Sequence, residues 1–170
     1  TLPACVSQFA KDRGQDVALR QKHLGVWREI SWASYFRNVS ATGRMLWELG
    51  VRPGDHIAIL SDNCPEWLYA DLGAQGIGAR SVGIYQTNPP SDVAYVLSHS
   101  QSRILFCEDQ EQVDKAIEVA DQTPTVERIV VFDPRGTRHY EDERLMRWQD
   151  FIEQAYGLVD AQPSWFDDRL

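Results

Sequence analysis

No run of apolar residues in this chain approaches the ~20 that cross a bilayer, so no segment reads as a transmembrane helix. Thr1–Ala10 lacks the basic start and long apolar run of a signal peptide. Cysteine is scarce: Cys5, Cys64 and Cys107 lie far apart, are odd in number, and form no CxxC or Cys/His metal spacing. That excludes a disulfide framework and a zinc site, and predicts free thiols in a reducing, cytoplasmic compartment. A basic surplus is missing too. The net charge of −8 argues against a nucleic-acid binder, which needs a cationic patch, and weakens docking on anionic lipid through charge alone. There is no Walker loop and no G-x-S-x-G elbow. The histidines His23, His56, His99 and His139 are scattered, with no triad or metal partner at a suitable spacing.

What is present is ordinary for a globular domain: 43% hydrophobic and 25% charged residues over 170 positions, enough for a real core. Most carboxylates follow Cys107, so the later part of the chain is the more solvated. The organising stretch is Val51–Tyr85, which reads as turn, strand, helix and strand. Pro53-Gly54-Asp55 is turn chemistry, and His56–Leu60 is a short apolar run suited to a strand buried on both faces. Pro65 fits a first helical position, where no N–H is needed, and Glu66 suits the positive end of the helix dipole. Gly73, Gly76 and Gly78 are expected to close this helix, and Trp67 to anchor it in the core.

Before this unit, the spacing predicts a helix over Leu2–Arg13, a β-hairpin over Val17–Ile30 and a helix capped by Ser31. After it, βα alternation continues through strands Ser81–Tyr85, Arg103–Cys107 and Arg128–Phe132. Helices start at Pro89-Pro90 and at Asp109, the latter with a capping-box Gln112, and a last amphipathic helix carries Trp148, Phe151, Ile152 and Ala155. The expected fold is α/β, a mostly parallel doubly wound sheet with helices on both faces, preceded by a helix and a hairpin. Its parts are a lead-in over 1–50, a βα core over 51–132, and a loop and terminal helix over 133–170. In such sheets ligands bind beyond the carboxyl ends of the strands. Here those ends are Ser61-Asp62-Asn63, Gln86-Thr87-Asn88, Glu108-Asp109 and Asp133-Pro134. The residues alone leave open a self-contained, flavodoxin-like ligand-binding or interaction module.

Several runs, taken together, carry a family resemblance. They are Ile30-Ser31-Trp32-x-x-Tyr35, Leu49-Gly50-Val51-Arg52-Pro53-Gly54-Asp55, Ser61-Asp62-Asn63-Cys64-Pro65-Glu66-Trp67, and Gly76-x-Gly78-Ala79 leading to Gly83-Ile84-Tyr85-Gln86-Thr87-Asn88. In this order the chain resembles the N-terminal part of AMP-forming acyl-CoA synthetases, the adenylate-forming ligase superfamily, and most of all long-chain fatty acid CoA ligases. The resemblance implies a two-step reaction. A fatty acid carboxylate attacks the α-phosphate of ATP, giving an acyl-adenylate and pyrophosphate, and CoA then displaces AMP; Mg²⁺ assists at the phosphates. It also implies that Tyr85, Gln86 and Thr87 lie near the CoA nucleotide, and it leaves peripheral membrane contact open. The family's Ser/Thr/Gly-rich loop ending in Pro-Lys-Gly does not occur in these 170 residues. No catalytic or metal-binding residue is therefore expected here, and the chain is expected to be inactive, a fragment missing the remainder of a longer protein. No bound cofactor is expected on it.

Overall fold

The computed structural model describes residues 1–170, the side chain of His23 excepted. Helix α1 (Leu2–Arg13) is capped by the Thr1 hydroxyl and leads into a two-stranded antiparallel sheet of β1 (Val17–His23) and β2 (Val26–Ser31). The Ser31 hydroxyl accepts from the Ser34 N–H at 3.2 Å and starts α2 (Trp32–Glu48), the cap that its sequence predicts. Then come β3 (His56–Leu60), α3 (Pro65–Gly76), β4 (Arg80–Ile84) and α4 (Pro90–Ser100). They are followed by β5 (Ile104–Cys107), α5 (Gln110–Glu118), β6 (Arg128–Val131), β7 (Leu145–Arg147) and α6 (Trp148–Ala161).

The main sheet is wholly parallel in the order β4-β3-β5-β6-β7, and the hairpin stands apart from it. It has five strands where the sequence pattern shows four. The fifth, β7, is three residues long and follows a polar loop, too short for any period to register. From β3 the chain steps outward to β4, then crosses back past β3 to β5 and β6. Crossovers of one hand then require α3 on one face and α4 and α5 on the other. The core is divided in that way. Ile57, Ile59, Ile104, Phe106 and Val130 point to the face covered by α1, α2, α3 and α6. Ala58, Leu60, Leu105, Cys107, Ile129 and Val131 point to the face covered by α4 and α5.

The glycines of α3 depart from expectation. Only Gly78, at φ +78°, works as a left-handed reversal after the helix. Gly73 and Gly76 lie within α3 and serve close packing instead. A Cβ on Gly73 would stand 2.8 Å from the Gly43 nitrogen of α2 and 3.1 Å from the Val39 carbonyl oxygen. One on Gly76 would strike the ring of Phe166. Phe166 belongs to a tail whose sequence shows no period, yet it is buried between α2 and α3. The tail is held by alternating rings and guanidiniums: Arg52 over Trp47 at 4.2 Å, Arg169 over Trp165 at 3.7 Å and Arg44 over Trp165 at 4.5 Å. Asp167 ties it to α1, accepting from the Ser7 hydroxyl at 2.6 Å and pairing with Lys11 at 2.9 Å.

Candidate functional site

At the carboxyl ends of the strands, β3 leads to a helix on one face while its neighbours β4 and β5 lead to helices on the other. Crevices therefore open on both sides of β3. The side toward β5 is closed: the Glu108 carboxylate accepts from the Asp62 N–H at 2.7 Å across the gap. The side toward β4 is a groove of about 310 Å³ lined by Ser61, Asp62, Asn63, Trp67, Gly83, Ile84 and Tyr85. Of the four strand ends named from sequence, Ser61-Asp62-Asn63 after β3 lines this groove; after β4 only Tyr85 reaches it, and Gln86-Thr87-Asn88 continues beyond its lining. Asp109 instead caps α5, its carboxylate accepting from the Gln112 N–H at 3.3 Å. The other half of the expected capping box is not formed, because the Gln112 side chain accepts from Lys115 at 3.0 Å.

Tyr85 is 81% exposed and stands on the groove's rim. Gln86 is half-buried and Thr87 is exposed. The turn that carries them closes with the Asn88 N–H donating to the Tyr85 carbonyl at 3.0 Å. It is fastened from the second face of the sheet by Lys115 of α5, whose Nζ donates to the Gln86 carbonyl at 2.5 Å and pairs with Glu111 at 3.0 Å. The sequence does not disclose this fastening, since Lys115 reads there only as the polar side of an amphipathic helix. The rim therefore offers an aromatic face, an amide and a hydroxyl. Those groups fit the base end of a nucleotide. Lys115 is already paired, and Asp62 and Glu108 stand nearby, so the rim does not supply charge for a pyrophosphate.

Trp67 is half-buried rather than a core anchor. It walls the groove on one side, with its ring near Gly83, and on the other bounds a second hollow of about 290 Å³ beside Leu19, Gln21, Pro65 and Leu68. The first turn of α3 ends above the sheet edge, so its side chains meet a groove, and the core position falls to Tyr69 two residues on. Burial pushes the Cys64 thiol up to about 11, with the Trp67 N–H bond acting in the opposite sense. It is protonated at neutral pH and is not a nucleophile. At the opposite end of the sheet Arg103 joins Asp55 at 3.0 Å, Glu127 at 2.9 Å and the Gly50 carbonyl at 2.6 Å, a structural knot that the sequence does not reveal. Among the described residues no group of three His, Cys, Asp or Glu side chains could hold a metal ion, and no helix is long and apolar enough to cross a membrane.

Comparison with known proteins agrees with this architecture. A family described as AMP-binding enzyme matches residues 6–164. The chain is 30% identical over 155 residues to the long-chain-fatty-acid–CoA ligase ACSBG2 of Xenopus laevis, a match covering 88% of this chain and 20% of that protein. It is 27% identical over 132 residues to the long-chain-fatty-acid–CoA ligase heimdall of Drosophila melanogaster, covering 77% of this chain and 19% of the relative. Among solved structures, the anthranilate CoA ligase AuaEII in complex with anthranoyl-AMP has a TM-score of 0.78 and 24% sequence identity, covering 89% of this chain and 27% of that one. That likeness is one of fold. The chain spans about a fifth of the length of these curated relatives. With the family match running from residue 6 to residue 164, the chain belongs to the AMP-binding enzyme family.

Proposed function

We propose that these residues form the N-terminal part of a long-chain fatty acid CoA ligase, which joins a fatty acid to CoA with ATP, through an acyl-adenylate, releasing pyrophosphate and AMP. The observation that carries this reading is the family match over nearly the whole chain, together with fatty acid CoA ligases among the relatives. Within that enzyme the parallel sheet is a scaffold, and its role at the site is the rim at Tyr85, Gln86 and Thr87. The rim faces the nucleotide end of CoA and contributes stacking and hydrogen bonds. The charge on the phosphates, and the Mg²⁺ that shares it, are met by groups outside these 170 residues. The chain alone therefore neither adenylates a fatty acid nor holds ATP at ordinary concentrations.

The test is pyrophosphate release over a fatty-acid series with ATP and Mg²⁺, run on the 170-residue chain and on the ligase that carries it. Expected is turnover by the ligase, strongest with long chains, and none by the chain alone. Turnover by the chain alone, or a ligase that prefers short or aromatic acids, overturns the proposal.

A further inference from the structure

The tip of the β1–β2 hairpin breaks a local rule. Its two-residue turn is Leu24-Gly25, with φ +48° and +83°. Both values are positive, as in a type I′ turn, whose twist matches that of the flanking strands. Gly25 meets this demand freely, whereas the first position favours Asn, Asp or Gly over a bulky apolar side chain. Leu24 is nonetheless there, and it is 88% exposed. Beside it Val26 is 65% and Trp27 61% exposed, and none of the three belongs to either core cluster. A turn that gives up its favoured residue to display an apolar one marks a contact surface.

The charges around the tip narrow the contact. Lys22 stands directly opposite Trp27 in the register, and Arg28 opposite Gln21, so one cation flanks the tip on each face of the ribbon. Arg20 is neutralised by Glu29 at 3.0 Å, while Lys22 and Arg28 make no ion pair among the described residues. The two strands carry three cations against one carboxylate, in a chain whose net charge is −8. The hairpin is thus a cationic projection on an acidic body. A protein partner would cover one face of a two-stranded ribbon. Cations on both faces around an apolar point suit a medium that surrounds the tip, as a lipid headgroup layer does.

We propose that this hairpin is a membrane-docking wedge: Leu24, Val26 and Trp27 enter the interface of an anionic bilayer, and Lys22 and Arg28 meet its headgroups. Indole rings favour that depth. Lys and Arg stems lie along the apolar part and leave their charged ends at the phosphates. Repulsion between the acidic body and the anionic surface turns the hairpin tip inward. The proposal stands without the ligase reading, and under that reading it holds the enzyme where fatty acids partition.

Co-sedimentation of the chain with phosphatidylcholine vesicles, with and without phosphatidylserine, tests it. Expected is binding to the phosphatidylserine vesicles that weakens with salt. Lys22→Gln and Arg28→Gln should each reduce it about fivefold. Leu24→Asn should reduce it about tenfold or more, because the inserted apolar group is gone. That variant should match or exceed the wild type in thermal stability, since Asn suits the turn, so lost binding cannot be charged to misfolding. No binding to phosphatidylserine vesicles, equal binding to both vesicle types, or unchanged binding by Leu24→Asn would overturn the proposal. So would a dimer in gel filtration that Leu24→Asn dissociates, which would show a second copy covering the tip.

Discussion

The two faces of the parallel sheet are built from different material. Four helices cover the first face, and its core holds the buried aromatic rings: Phe106 packs against Phe132, Trp148 and Phe151, and Tyr69 stacks on Trp148 at 6.3 Å between centroids. Two helices cover the second face, whose buried side chains are aliphatic, Val93, Leu97, Val113 and Ile129 among them. Close packing accompanies the aromatic face, where α2 and α3 meet at Gly43 and Gly73. From the second face, α5 holds the Tyr85–Asn88 turn from behind through Lys115. The candidate rim lies at the sheet's edge strand β4, walled by Trp67 of α3 on the first face and fastened by Lys115 from the second. A binding rim on a less heavily packed element can adjust without disturbing the main core.

The largest expected effect follows from the aromatic face. Phe106→Ala removes a fully buried ring that touches three others and should lower stability by about 3–5 kcal/mol in chemical denaturation. A loss near that of an aliphatic truncation such as Val93→Ala would erase the contrast between the faces. Gly73→Ala comes next. The added methyl meets backbone of α2 rather than a flexible side chain, so the helices must part, at about 1–3 kcal/mol. A neutral outcome would show that α2 and α3 slide easily and are not locked.

Trp67→Ala should cost about 1–2 kcal/mol, less than a core aromatic, because its ring is half-buried beside two grooves. A loss as large as that of Phe106→Ala would return Trp67 to the core. The smallest effect concerns acid. Burial pushes the Asp55 carboxyl up, but hydrogen bonds from the Arg52 N–H and the Arg103 guanidinium outweigh it and hold the group below the usual carboxylate range. Its contribution is then present above the ordinary carboxylate pKa and lost as pH falls through the lowered value. The pair is partly solvated, so Asp55→Asn should remove under about 1 kcal/mol of acid-sensitive stability. An unchanged acid limb in the variant would remove Asp55 from this account.

Regular elements were legible in the sequence because period and punctuation agree there. The alternation of apolar runs with capped helices marks strands β3, β4 and β5 and the starts of α3, α4 and α5 to within a residue, and Ser31, Pro65 and Asp109 act at helix starts as their chemistry suggests. Three features were not legible, each for its own reason. Strand β7 is too short to show alternation. Gly73 and Gly76 look like terminators, because a close approach between helices leaves the same residue type as a cap. The burial of Phe166 and the Lys115–Gln86 bond are contacts between distant parts of the chain, with no local signature. The candidate rim was legible as a strand end, and its residues by resemblance. Its groove and its closed neighbour under Glu108 required the fold.

The contrast between a packed face and a binding rim is tested most directly at Thr87, which is exposed and carries no core contact. Under the proposed function, Thr87→Glu in a ligase carrying this chain adds a carboxylate at the rim proposed for the nucleotide end of the anionic CoA, and the KM for CoA is the quantity to measure alongside ATP–pyrophosphate exchange. Expected is a rise in that KM of about tenfold or more, with exchange and thermal stability unchanged. An unaltered KM for CoA, or an equal fall in both half-reactions, would contradict the placement of CoA at this rim.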